Sequence, residues 1–165
     1  MNTYTYTPII TESTKNTFFD YINSIKIDSI DFYSVGIANT AQKKFSSITS
    51  QLDWQTIFYK KQFGKHDPLT KANLFSRRKI VPFSEVDYID SSGKEVMRQR
   101  RLHGISNGLT FIHKEKQLKY MIMLTTGFSK FDHFTFLKKY YSKLDRLTHD
   151  LTKIIENDIH QLFLK

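Results

Sequence analysis

Cysteine is absent from the 165-residue chain, so disulfides and thiolate metal sites are excluded and a reducing compartment fits. Only three prolines and six glycines punctuate it, and no Ser/Gly/Pro-rich stretch divides it. The reading is one domain over residues 1–165, with no repeat at the periods typical of solenoids. No apolar run approaches the roughly 20 residues that a bilayer span needs. Met1-Asn2-Thr3-Tyr4-Thr5-Tyr6 has neither the charged nor the apolar region of a secretory signal. A cytoplasmic location without membrane contact is therefore expected. His66, His103, His113, His133, His149 and His160 are dispersed, without the spacing of a metal site. Nucleophile elbows, phosphate loops and paired carboxylates are likewise missing. The expectation is a protein that is not an enzyme and takes no metal or cofactor.

What is present suffices for a core: 39% hydrophobic and 15% aromatic residues, with fourteen Phe and nine Tyr. Charge is one-sided, 25 Lys+Arg against 16 Asp+Glu, a formal +9. The clusters Lys60-Lys61, Arg77-Arg78-Lys79 and Arg98-x-Arg100-Arg101 have two readings. Solvated helix faces are favoured over a phosphate-binding surface.

Thr11-Glu12-Ser13-Thr14 caps an expected helix with Phe18, Tyr21, Ile22 and Ile25 on its apolar face. Ile30 to Ala38 and Lys43 to Thr49 read as a strand hairpin. Asp53 is the expected cap of a second helix carrying Trp54, Ile57, Phe58 and Phe63. Asp67-Pro68 opens a short helix with Leu69, Ala72 and Phe75. Ile80 to Phe83 is extended, and Ser84 to Leu102 reads as a helix broken near Ser91-Ser92-Gly93. Leu109 to His113 and Leu118 to Thr126 are strands joined through Lys114-Glu115-Lys116. Phe131 to Leu164 is a long amphipathic helix with Leu137, Tyr140, Leu144, Leu147, Leu151 and Ile154 in one stripe, drifting to Ile155, Ile159 and Leu162. This order predicts an α+β domain with helices on both faces of an antiparallel sheet.

One series of residues carries more information. Trp54 is followed by Asp67-Pro68, then Val81-Pro82-Phe83-Ser84, then Gly104-Ile105-Ser106-Asn107-Gly108-Leu109-Thr110. In order and spacing it resembles the autoinducer-binding domain of LuxR-type quorum-sensing regulators, from the first helix to about Thr126. The resemblance implies an α-β-α sandwich around a five-stranded antiparallel sheet. It also implies an acyl-homoserine lactone or similar amphipathic molecule between the sheet and one helical layer. By position, Trp54 matches the indole that donates to the lactone carbonyl, and Asp67 the carboxylate that accepts from the ligand amide. Phe83 matches an aromatic at the lactone end, and Gly108 a glycine near the turn.

The chemistry is sensible on its own terms, since an indole N–H only donates and a carboxylate only accepts. Two positions depart from the pattern: Ser50 and Phe58 stand where phenols are usual, and Tyr59 is turned about 100° around the helix from Phe58. Thr125 or Ser106 are the candidates to replace those hydroxyls. The expected ligand-binding set is Trp54, Asp67, Phe58, Phe83 and Thr125.

LuxR-type regulators carry a C-terminal helix-turn-helix unit, for which the residues up to Lys165 leave no room. The sequence reads as a truncated piece of a regulator or as a stand-alone sensory domain. Direct nucleic-acid contact is not expected of it. The expected partners are the small molecule and either a second copy or a full-length LuxR-type regulator. An alternative is an interaction module of the same fold that has lost its ligand.

Overall fold

Side-chain alternation in three central strands organises the structure, a computed structural model that describes residues 4–160. The strands are β1 (Thr5–Tyr6), β2 (Phe32–Asn39), β3 (Lys44–Thr49), β4 (Ile80–Pro82), β5 (Asn107–Glu115) and β6 (Leu118–Thr126). They form one sheet in the order β1-β3-β2-β6-β5-β4. All pairings are antiparallel except β1 with β3, where Thr5 lies opposite Lys44. The sheet thus has six strands rather than five, because a two-residue N-terminal segment adds to its edge. So short a strand carries no alternation to read from sequence.

Successive residues of a strand point to opposite faces. Tyr33, Val35 and Ile37 of β2, Ile48 of β3, and Tyr120, Ile122 and Leu124 of β6 share one face. Against them pack α1 (Glu12–Ser24) through Phe18 and Ile22, and α5 (His133–Glu156) through Phe136, Leu144, Leu147, Leu151 and Ile155. The other face is covered by α2 (Leu52–Lys60), α3 (Pro68–Phe75) and α4 (Ser91–Leu102). The α-β-α sandwich is the architecture expected.

Four local expectations are corrected. The N-cap of α2 is Gln51, whose side chain accepts from Asp53 N and Trp54 N, while Asp53 sits in the first turn. The break expected near Ser91-Ser92-Gly93 lies earlier, between Glu85 and Ser91. Phe83–Glu85 forms a 3-10 turn, and α4 starts at Ser91 because Asp90 caps it through Gly93 N. Phe75, expected on the apolar face of α3, is 58% exposed. The long helix ends at Glu156, and Leu162 lies outside the described residues.

Buried polar contacts tie the sequence ends. Asp158 accepts from Thr11 N at 3.0 Å, just where Thr11 caps α1. Tyr21 donates to Asp150 at 2.8 Å, joining α1 to α5.

Candidate functional site

The face of the sheet turned towards α2, α3 and α4 is lined at its centre by small or flexible residues. Ser34 and Gly36 of β2 pair with Thr49 and Ser47 of β3 on one side, and with Met123 and Met121 of β6 on the other. Small side chains in a row leave space that large ones fill on the opposite face. A cavity of about 80 Å³ results, lined on the helical side by Trp54, Phe58 and Tyr59 of α2, Thr70 and Asn73 of α3, and Arg100 of α4.

Trp54 lies in the centre of an aromatic cluster. Its ring stacks on Phe63 at 5.8 Å and tilts against Phe58 at 5.7 Å, and the Arg100 guanidinium sits 4.9 Å from its centroid. A cation over an indole face is attracted by the ring quadrupole. The indole Nε1 has no hydrogen-bond acceptor among the described residues. Asn73, 2% exposed, contributes the opposite polarity: its Oδ1 is buried without a donor. Buried polar atoms in folded proteins are nearly always partnered, so Asn73 Oδ1 stands out as an acceptor open to a further donor.

Asp67 is placed differently from the expectation of a carboxylate open to a ligand. It is fully buried and does not line the cavity. Oδ1 accepts from Leu69 N at 3.2 Å and Arg100 Nη1 at 2.7 Å. Oδ2 accepts from Thr70 N at 3.2 Å, Thr70 Oγ1 at 2.6 Å and Arg100 Nη2 at 2.9 Å. These donors take up the roughly four lone-pair sites of a carboxylate. Burial alone would raise the Asp67 pKa; the Arg100 charge, the Arg100 and Thr70 hydrogen bonds and the Leu69 amide outweigh it and hold the carboxyl below its ordinary range. The carboxylate is thus a helix cap and the counter-ion of Arg100.

Of the other expected residues, Trp54, Phe58 and Thr125 come together on the cavity lining. The Thr125 hydroxyl donates to Phe32 O at 3.3 Å. Phe83 is buried beneath, in one apolar cluster with Trp54, Phe63 and Leu69, and is not on the lining. Ser50 accepts from Tyr33 N at 2.9 Å and closes the end of the β2–β3 pair, while Ser106 N donates to Thr126 O at 2.9 Å. Neither reaches the cavity lining.

Sequence reasoning missed most of the lining, including Arg100, Asn73 and Tyr59. Arg100 was counted within a basic cluster, yet it follows Val96 by four and Met97 by three, the spacing of one helix face. Asn73 follows Leu69 by four in the same way. Tyr59, expected to turn aside, lines the cavity beside Phe58. Its hydroxyl donates to Ser47 O at 2.7 Å and its ring stacks on Tyr6 of β1 at 4.3 Å. Burial pushes this phenol well above its ordinary pKa, so it stays protonated.

Among the described residues, no group of His, Asp and Glu is placed to hold a metal ion, and no helix is long and apolar enough to cross a membrane.

No family model and no curated protein matches the chain. Solved structures do match. A crystal structure of Escherichia coli SdiA aligns over 94% of this chain with a TM-score of 0.63 at 15% identity, and the chain spans 66% of that structure's length. CepR2 from Burkholderia cenocepacia, an N-acylhomoserine lactone dependent LuxR family transcription factor, aligns over 82% of this chain and 78% of its own, with a TM-score of 0.58 at 11% identity. SdiA in complex with octanoyl-rac-glycerol aligns over 90% of this chain and 68% of its own, with a TM-score of 0.56 at 14% identity. The chain has the fold of these LuxR-family autoinducer-binding domains.

Proposed function

We propose that this chain is a cytoplasmic signal-sensing domain that binds an acyl-homoserine lactone or a similar amphipathic molecule beside Trp54, without catalysing a reaction. The observation that carries this reading is a cavity on which Trp54, Phe58 and Thr125 come together beside a buried, unpartnered acceptor, Asn73 Oδ1. Its other walls suit an acyl tail, each methylene of which contributes about 0.8 kcal/mol when buried. The shared fold supports the same reading, since one neighbour is lactone-dependent and another holds octanoyl-rac-glycerol.

The cavity of about 80 Å³ is small beside the roughly 300–1,000 Å³ of drug-sized sites. Binding therefore requires the wall to move. Met121 and Met123 are suited to this, being unbranched and rotatable about three bonds. Phe58 and Thr125 would border the ligand, with Phe83 supporting Trp54 from behind.

Thermal melting against N-acyl-homoserine lactones and acylglycerols of several chain lengths tests the proposal. Stabilisation that rises with acyl length and then falls is expected. A lack of any stabilisation throughout the panel overturns it.

A second reading has its own observation. With Asp67 sealed by Arg100 and the cavity small, the fold also suits an interaction module that pairs with a full-length LuxR-type regulator or with a second copy. Co-purification with such a regulator, unchanged by any of these lipids, would favour it.

A further inference from the structure

One buried side chain dominates the polar end of the cavity. Arg100 is 3% exposed and lies on the cavity lining. Nη1 donates to Asp67 Oδ1 and Met97 Sδ, and Nη2 donates to Asp67 Oδ2. A guanidinium has five N–H groups in a fixed fork. The Nε hydrogen and the second Nη2 hydrogen have no acceptor among the described residues. Trp54, against which the same guanidinium packs, adds its own unpartnered donor. The carboxylate that would accept from a ligand N–H is meanwhile filled by Leu69, Thr70 and Arg100.

We propose that Arg100 is the specificity-determining residue of this cavity, donating to carbonyl oxygens of a neutral head group, so that recognition needs no ligand amide N–H; the Asn73 Oδ1 acceptor takes any donor, water included. The inference rests on the proposed binding reading and sharpens its ligand class to acyl molecules rich in acceptors, esters included. Net charge sets the neutrality. Arg100 is already balanced by Asp67, so a free carboxylate would bring an unpaired negative charge into a buried site. Asp67 acts as a positioning residue. It fixes the fork and leaves the Nε edge of the guanidinium free for a ligand oxygen.

A matched pair of probes separates this from recognition by a carboxylate. The first is N-octanoyl-homoserine lactone, and the second is its ester isostere, 2-octanoyloxy-γ-butyrolactone, in which an oxygen replaces the N–H. Trp54 is the sole tryptophan, so its fluorescence reports both titrations. The amide is expected to bind less than threefold tighter than the ester. An amide advantage of threefold or more overturns the inference while leaving the binding reading intact. If neither probe binds, both fall.

Arg100→Lys keeps a cation against Asp67 but loses the second edge of the fork. Both probes are expected to lose at least fivefold in affinity, and unchanged affinity in a folded variant would overturn the proposal. Should Arg100→Lys not fold, the matched pair on the natural chain decides alone.

Discussion

Asp67 performs two structural tasks with one carboxylate, since it caps α3 and balances Arg100. Loss of a helix cap typically costs about 1 kcal/mol. Stranding a buried guanidinium costs more, about 3–5 kcal/mol. Asp67→Ala is therefore expected to destabilise the fold by an amount well above a cap's value, measured by urea unfolding. Its depressed pKa also has a direction in pH. The stability it supplies is fully present above the unfolded carboxyl pKa of about 3.9. That stability is lost as pH falls towards the lower folded value. Unfolding midpoints should hold steady from neutral pH to about 5 and drop below about 4. A flat profile down to pH 3 would contradict this role.

Gly108 is a second residue with a steric reason. A Cβ there would lie 2.2 Å from the Leu124 carbonyl oxygen, in the strand partner's backbone. Backbone cannot swing away as a side chain can. Gly108→Ala should cost about 2 kcal/mol or more, read from thermal melting. The glycine that the sequence matched to a family turn is explained here by strand proximity.

At the scale of elements, the sequence was most legible where periodicity was long. α1, the β2–β3 hairpin, the β5–β6 hairpin and α5 were all recognisable, because their apolar residues repeat over several turns or pleats. The same alternation, read for size as well as polarity, would have located the cavity. Ser34 and Gly36 alternate with Tyr33, Val35 and Ile37, so one face of β2 is filled and the other open. Less legible were features set by neighbours far along the chain. Tyr6 joins β3 through a two-residue strand, and Arg100 finds Asp67 across thirty-three positions. A charge census treats Arg98, Arg100 and Arg101 alike, yet Arg98 pairs with Glu95 at the surface and Arg100 points inside.

Filling the open face should separate binding from folding. Gly36→Val adds a β-branched side chain suited to a strand. Its first contact would be the flexible Met121 Cε at 3.2 Å. The variant is expected to melt within a few degrees of the natural chain and to lose stabilisation by octanoyl lactones or acylglycerols. The Asp158–Thr11 link makes a prediction for the opposite layer. Asp158→Ala leaves Thr11 N without its acceptor, while Thr11 Oγ1 keeps its bonds to Thr14. A loss of about 1–3 kcal/mol in unfolding free energy is expected, with lipid binding unchanged.

For the whole molecule, the formal +9 suggested a surface for polyanions when read as a sum. Folding redistributes it. Arg100 is interior, Arg78 pairs with Glu85, and Lys119 is buried with its ammonium donating to Leu74 O and Ser76 O at the end of α3. Part of the basic surplus thus holds the helical layer over the cavity. The six-stranded sheet serves as a two-sided support, with the larger core cluster towards α1 and α5 and two smaller clusters around the cavity towards α2, α3 and α4. A ligand entering the cavity would stabilise the entire domain by mass action, by about 2.7 kcal/mol at a hundredfold excess over Kd.

The single tryptophan on that cavity gives the most direct measurement. Trp54 fluorescence is titrated with N-octanoyl-homoserine lactone and with octanoylglycerol, in the natural chain and in Gly36→Val. The expected result is a saturable change in the natural chain with at least one of the two, and none in the filled variant. No saturable change in the natural chain, or an equal one in Gly36→Val, would contradict the cavity beside Trp54 as the binding site.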